Sequence, residues 1–153
     1  MKRTPNLEGT WMNYPVELIP DDNDTIMVAF PDVPGAISFG ETEGEALANA
    51  QDALETVFSG MIADRKDIPE PSAPDGRPTV RPTLLGLLKL TVYRAMRERG
   101  WRKADLARAT HQHPRQIDRL LDLRHGSTIA QIEQALAACG VEAAIEAREL
   151  AAA

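Results

Sequence analysis

The stretch Ile68–Thr83, IPEPSAPDGRPTVRPT, decides how the rest of the chain is divided. Five prolines and a glycine leave no room here for a helix or a central strand. Proline fixes φ, so the stretch reads as a semi-extended connection. Charge changes sign across it. From Met1 to Asp75 there are 4 Lys/Arg against 15 Asp/Glu, a net of −11. From Gly76 to Ala153 there are 13 against 8, a net of +5. Between Gly76 and Gly126 the bias sharpens to 12 basic residues against 4 acidic. Halves of opposite sign predict two units with different partners: residues 1–72, a Pro-rich linker at 73–83, and residues 84–153. A basic unit suits phosphate, and an acidic one suits a basic protein.

Upstream of the linker the apolar period is two. YPVELIP (Tyr14–Pro20) places Tyr14, Val16 and Leu18 on one face, and TIMVAFP (Thr25–Pro31) does the same with Ile26, Val28 and Phe30. The polar DDND between them marks a hairpin turn. PGAISFG (Pro34–Gly40) predicts a third short strand bounded by glycines. TEGE (Thr42–Glu45) then predicts a capping box, in which Thr42 and Glu45 satisfy free backbone donors reciprocally. Leu47, Ala50, Ala53, Leu54, Val57, Phe58 and Met61 follow at helical spacing. The first half therefore predicts a three-stranded antiparallel sheet with one helix on it, an α+β arrangement.

Downstream the period is helical throughout. Thr83 caps a helix that ends at Gly100, and Lys103–Thr110 and Pro114–Asp122 are two short helices. TIAQ (Thr128–Gln131) opens another, which Gly140 stops. Val141–Leu150 is open between a helix, favoured by composition, and an edge strand, favoured by the alternation of Val141, Ala143 and Ile145.

The turn THQHP (Thr110–Pro114) carries a His-x-His pair. A metal site needs further ligands, and the chain has only His125 and the distant Cys139 to add. Placed on the helices, the two rings have local work instead. Pro114 suits the first position of a helix, which makes His113 its cap, and His111 occupies a bend that needs a left-handed residue. Two short helices about a tight turn, the second bearing arginines, form the pattern of a helix-turn-helix. Leu106, Ala107, Ile117, Leu120 and Leu121 point inward in that pattern. Arg115, Gln116 and Arg119 point outward, where arginine matches guanine and glutamine matches adenine. Lys103 and Arg124 lie where phosphates would pass, with His113 beside them.

Two resemblances follow from these residues. Trp101–Gly140, with KADLARAT, HPRQIDRLLD and TIAQIEQALAACG, resembles the helix-turn-helix of phage-repressor-type regulators. It departs from them where His111 replaces the turn glycine and Arg102 the usual Ser or Thr cap. Tyr14–Ser72 resembles the HicB-type antitoxin domain, on YPVELIPDDNDTIMVAFPDVPGAISFGET, EALANAQDALE and DIPEPS. That resemblance implies a truncated ribonuclease-H-like unit, inactive as a nuclease. It also implies binding and neutralisation of a small HicA-type toxin, an mRNA interferase, with repression of the chain's own operon. The toxin contact is then expected around the loop, on Tyr14, Phe30, Asp32, Val33, Pro34 and Phe39. The operator is expected to be bound by a homodimer or homotetramer, with half-sites roughly 34 Å apart or a multiple of that.

Other classes find less in the sequence. No apolar run approaches the roughly 18 residues of a membrane span, and the start MKRTPNLEGTWMNYP has no apolar core of a secretory signal. Together with a single cysteine, this predicts a cytoplasmic protein without internal disulfides. A metal-dependent nuclease would need converging carboxylates, and Asp21, Asp22 and Asp24 fall in a hairpin tip away from Asp32. No enzyme activity and no cofactor or metal is expected. The rival expectation is a stand-alone helix-turn-helix regulator whose first half senses a ligand or dimerises.

Overall fold

Strand pairing in the first half is set by alternation and ended by proline. The computed structural model describes residues 12–150. Strands β2 (Glu17–Pro20), β3 (Ile26–Ala29) and β4 (Ile37–Gly40) form an antiparallel sheet in the order β2-β3-β4. Leu18, Val28 and Ser38 stand in register on one face. The β2–β3 hairpin closes with the Asp21 N–H donating to Thr25 O at 2.9 Å. Asp24 takes the left-handed conformation at its tip, φ 56°, which a short polar side chain tolerates.

The expected single strand Tyr14–Pro20 is broken at Val16. Continuing the β2–β3 register would set Pro15 opposite Pro31, and neither residue has an N–H to give. Tyr14–Pro15 instead form β1, which pairs with β5 (Thr79–Val80) from the Pro-rich stretch. Val16 N–H extends that ladder by donating to Pro78 O at 2.9 Å.

Helix α1 (Glu43–Ala63) lies across the inner face of the sheet. Thr42 Oγ1 accepts the Glu45 N–H at 3.1 Å, and the Glu45 carboxylate reaches back to Glu41 N–H at 2.9 Å, one residue earlier than a capping box predicts. The buried stripe is Ala46, Ala50, Leu54, Phe58 and Ile62, at a spacing of four; Leu47, Val57 and Met61 flank it half-buried. Small residues head the stripe because β4 passes close beneath. Ser38 Oγ donates to Ala46 O at 2.9 Å, and a Cβ on Gly40 would collide with the Ala46 backbone.

The Pro-rich stretch is extended, and it is fastened along its length. Tyr93 and Tyr14 hydroxyls donate to Lys66 O and Pro69 O, both at 2.5 Å. Ser72 gives its N–H and its hydroxyl to Asp32 Oδ2, at 2.8 and 2.9 Å. Thr83 gives both of its donors to the buried Glu55 carboxylate on α1, at 2.8 and 2.6 Å, while its Oγ1 caps α2 (Leu84–Glu98) through Gly86 N–H. Helices α3 (Lys103–Thr110), α4 (Pro114–Leu121) and α5 (Ile129–Ala138) follow. Leu90, Val92, Leu106, Ile117, Leu120, Ile132 and Leu136 close their shared core, and the Cys139 thiol is buried beside it. Residues 141–150 form neither helix nor strand.

Gly40→Ala should cost at least about 2 kcal/mol, since the added methyl meets backbone that cannot rotate away. Chemical denaturation measures it; a variant within a few tenths of the parent would refute the close approach of β4 to α1.

Candidate functional site

The segment α3–turn–α4 is built by local hydrogen bonds. Asp105 Oδ2 accepts the Arg102 N–H at 2.8 Å and so closes the start of α3, although Arg102 is an unusual cap. His111 ends α3 in the left-handed conformation, φ 54° and ψ 38°, where glycine is usual. Gln112 N–H turns back to Ala107 O at 3.0 Å. His113 Nδ1 then accepts the Arg115 N–H at 3.2 Å, and Gln116 Oε1 accepts the His113 N–H at 3.2 Å. Accepting at Nδ1 requires the neutral ring with its proton on Nε2, because an imidazolium has no acceptor. Both histidines are therefore occupied in shaping the turn. Among the described residues, no group of three or more His, Cys, Asp or Glu could hold a metal ion.

The six basic-face positions fall into three pairs. Arg115 and Arg119 are exposed on α4, and among the described residues their guanidinium groups have no partner. His113 and Gln116 are exposed and committed to the cap. Lys103 and Arg124 are ion-paired: Lys103 Nζ lies 2.8 Å from Asp118, bridging α3 and α4, and Arg124 lies 3.3 Å from Asp52 on α1. Leu106, Ala107, Ile117, Leu120 and Leu121 are buried, so the outward face of α4 is polar along its length.

Sequence reasoning missed what fixes the far end of α4. Lys89 on α2 is fully buried, and its ammonium donates to the carbonyls of Arg119, Asp122 and His125 at 2.9, 2.7 and 2.6 Å. From α1, Ser59 Oγ accepts the Leu123 N–H at 3.1 Å. A lysine at helical spacing inside an apolar stretch was the only signal.

In the first half, the six positions around the loop also separate. Tyr14, Phe30 and Val33 are core residues, with Tyr14 packed edge-on against Phe58 at 5.4 Å between ring centroids. Two successive turns shape the loop, Val33 N–H to Phe30 O and Ala36 N–H to Val33 O, both at 3.1 Å. Asp32 is half-buried and occupied by Ser72. Only Pro34 and Phe39 are exposed. Phe39 is not alone, for the register sets Ile19, Met27 and Phe39 abreast on the outer face of the sheet, beside Ala29 and Ile37.

The described residues thus form a small α+β unit whose sheet carries one open apolar face, followed by helices α2 to α5 with exposed arginines on α4. The family described as HicB-like antitoxin of bacterial toxin-antitoxin system matches residues 13–90. The chain is 38% identical to "Antitoxin HicB 2" of Photorhabdus laumondii subsp. laumondii over 129 residues, which is 84% of this chain and 91% of that protein. It is 33% identical to "Antitoxin HicB" of Escherichia coli strain K12 over 132 residues, 86% of this chain and 96% of that protein. With "Antitoxin HicB" of Pseudomonas fluorescens the identity is 32% over 122 residues, 78% and 84% of the two chains. The chain belongs to the HicB-like antitoxin family. The matched stretch runs past β5 and takes in Lys89 near its end. Among the described residues no helix is long and apolar enough to cross a membrane.

The chain's two tyrosines give a pH test of this arrangement. Burial raises both hydroxyls above the usual 10.0; for Tyr14 the Arg94 charge opposes the rise, and for Tyr93 the Arg97 charge does. A raised folded value contributes stability that is whole below the unfolded pKa of 10.0 and is lost as pH climbs through the folded values. Tyrosinate absorbance should therefore stay low near pH 10 and appear together with loss of helical circular dichroism at higher pH. Smooth ionisation centred near 10 in a folded chain would contradict both hydrogen bonds.

Proposed function

We propose that this protein is an antitoxin that binds and neutralises a small HicA-type mRNA-interferase toxin through its acidic first half, and that it represses its own operon through α3 and α4 acting as a helix-turn-helix. In this reading, residues 1–72 are the toxin-binding unit, a truncated ribonuclease-H-like fold without nuclease activity. Residues 73–83 join it to the DNA-binding and dimerising residues 84–153, and the protein acts in the cytoplasm.

Membership of the antitoxin family supports the first activity. The observation that carries the second is the pair of unpartnered arginines, Arg115 and Arg119, on the polar face of a helix entered through a left-handed residue. Unpaired guanidinium groups on an exposed helix break no ion pair when they turn to a ligand, and they match guanine edges or phosphate oxygens in a bidentate way. Gln116 adds an amide donor, and Lys103 and Arg124 add charge near the flanks while keeping their ion pairs. A homodimer or homotetramer would present two such helices to two half-sites roughly 34 Å apart or a multiple of that.

Arg115→Ala and Arg119→Ala should each weaken operator binding by about tenfold or more, at roughly 1–3 kcal/mol for a base contact. Growth rescue on co-expression with the toxin should be unchanged. Electrophoretic mobility shift over a salt series reads the first, and the slope against salt should flatten by about one counterion if the lost contact was to phosphate. Wild-type operator affinity in both variants would remove α4 from DNA recognition. Loss of rescue in both would remove the division of labour.

A further inference from the structure

We infer that the open face of the three-stranded sheet, centred on Ile19, Met27, Phe39 and Ile37, is the docking surface for a basic protein with an apolar centre; this rests on the antitoxin reading and identifies where its toxin would seat. Ile19 is 39% exposed, and Ile37 and Phe39 are each 48% exposed, although all lie in paired strands. The register makes them neighbours rather than scattered residues, since Ile19, Met27 and Phe39 form one row and Ala29 and Ile37 the next. The opposite face is covered by α1. An apolar patch of this kind on a small unit marks an interaction site.

Charge selects the occupant. Between Asn13 and Asp64 there are eleven Asp or Glu and no Lys, Arg or His. Glu17 stands in the second row of the patch, and the hairpin tip with Asp21, Asp22 and Asp24 projects from one end of the sheet. Nucleic acid and anionic lipid are repelled by such a rim. A second copy docking face to face about a two-fold axis would bring each acidic rim against its own image. A basic partner gains from the same rim, in encounter rate and in orientation. Docking goes through the face rather than by strand addition at β4, because Asn49 Nδ2 already donates to Phe39 O at 2.9 Å on that edge.

The test compares the wild-type chain with Ile37→Arg/Phe39→Arg and with Ile37→Val/Phe39→Leu, each co-expressed with a HicA-type toxin. The arginine pair should lose about a hundredfold or more in toxin affinity, together with growth rescue, while keeping its thermal midpoint and operator binding. The conservative pair should stay within about threefold of wild type. Hydroxyl-radical footprinting of the wild-type complex, which needs no variant to fold, should show Met27 and Phe39 protected by the toxin. Unchanged affinity and an unprotected Phe39 would overturn the assignment and leave the antitoxin reading standing. A wild-type chain that binds no toxin would overturn both. A wild-type dimer that the arginine pair makes monomeric would name a second copy as the occupant instead. Protection in the isolated chain that vanishes on deleting residues 1–11, which carry Lys2, Arg3, Leu7 and Trp11, would name the chain's own start.

Discussion

An ammonium group shut away from water must find oxygen, and the Lys89 side chain does so at the end of another helix. It gathers the carbonyls of Arg119, Asp122 and His125, two of which lie in the turn that follows α4. Burial pushes its pKa down, while the carboxylates of Asp122 and Glu55 push it up. The carbonyl end of a helix carries partial negative charge, so a cation there is favourable beyond the hydrogen bonds themselves. Without it the three carbonyls would each lose a charged donor; those of Arg119 and Asp122 would keep one backbone N–H each, from Asp122 at 3.3 Å and from His125 at 3.1 Å. Lys89 therefore ties the end of α4, the helix that carries Arg115 and Arg119, to α2.

The same junction is reinforced from α1. Glu55 holds the cap of α2 through Thr83, Ser59 holds the backbone of Leu123, and Asp52 meets Arg124. Arg97 and Arg94 add ion pairs to Asp67 and Glu70 just beyond α1. The acidic and basic halves thus meet along a polar seam beside their apolar contacts. The charge asymmetry of the sequence is partly spent inside the molecule, and Arg124 is a basic residue whose charge is already answered.

Much of this architecture is legible in the sequence. The period of two found β2, β3 and β4, and the spacing of Thr42, Thr83 and Thr128 from their helices found three N-termini. The left-handed residue at His111 followed from the geometry of the turn. β5 was not legible, because two residues between prolines are shorter than any period, and proline argues against strand unless the strand is an edge. The loop Phe30–Gly35 was legible as a loop but not in its burial. Its sequence specifies two stacked turns, with Phe30 and Val33 turned into the core, so it encodes a backbone shape and little surface. The open sheet face is hard to read from the sequence because the period of two is dominated by the inner positions. Ile19, Met27 and Ile37 occupy the other phase of the same strands.

The pairing of β1 with β5 has a consequence for the order in which the molecule is made. Tyr14 and Val80 are partners across most of the first half. During synthesis β2, β3, β4 and α1 can assemble as soon as α1 has emerged, since their contacts are near in sequence. β1 must wait. Until Pro78 arrives, Val16 has no acceptor for its N–H, and until Pro69 arrives the Tyr14 hydroxyl has none either. The Pro-rich stretch is therefore the closing strap of the nascent unit, and a ribosome that stops before Val80 releases a sheet and helix with their first strand still loose.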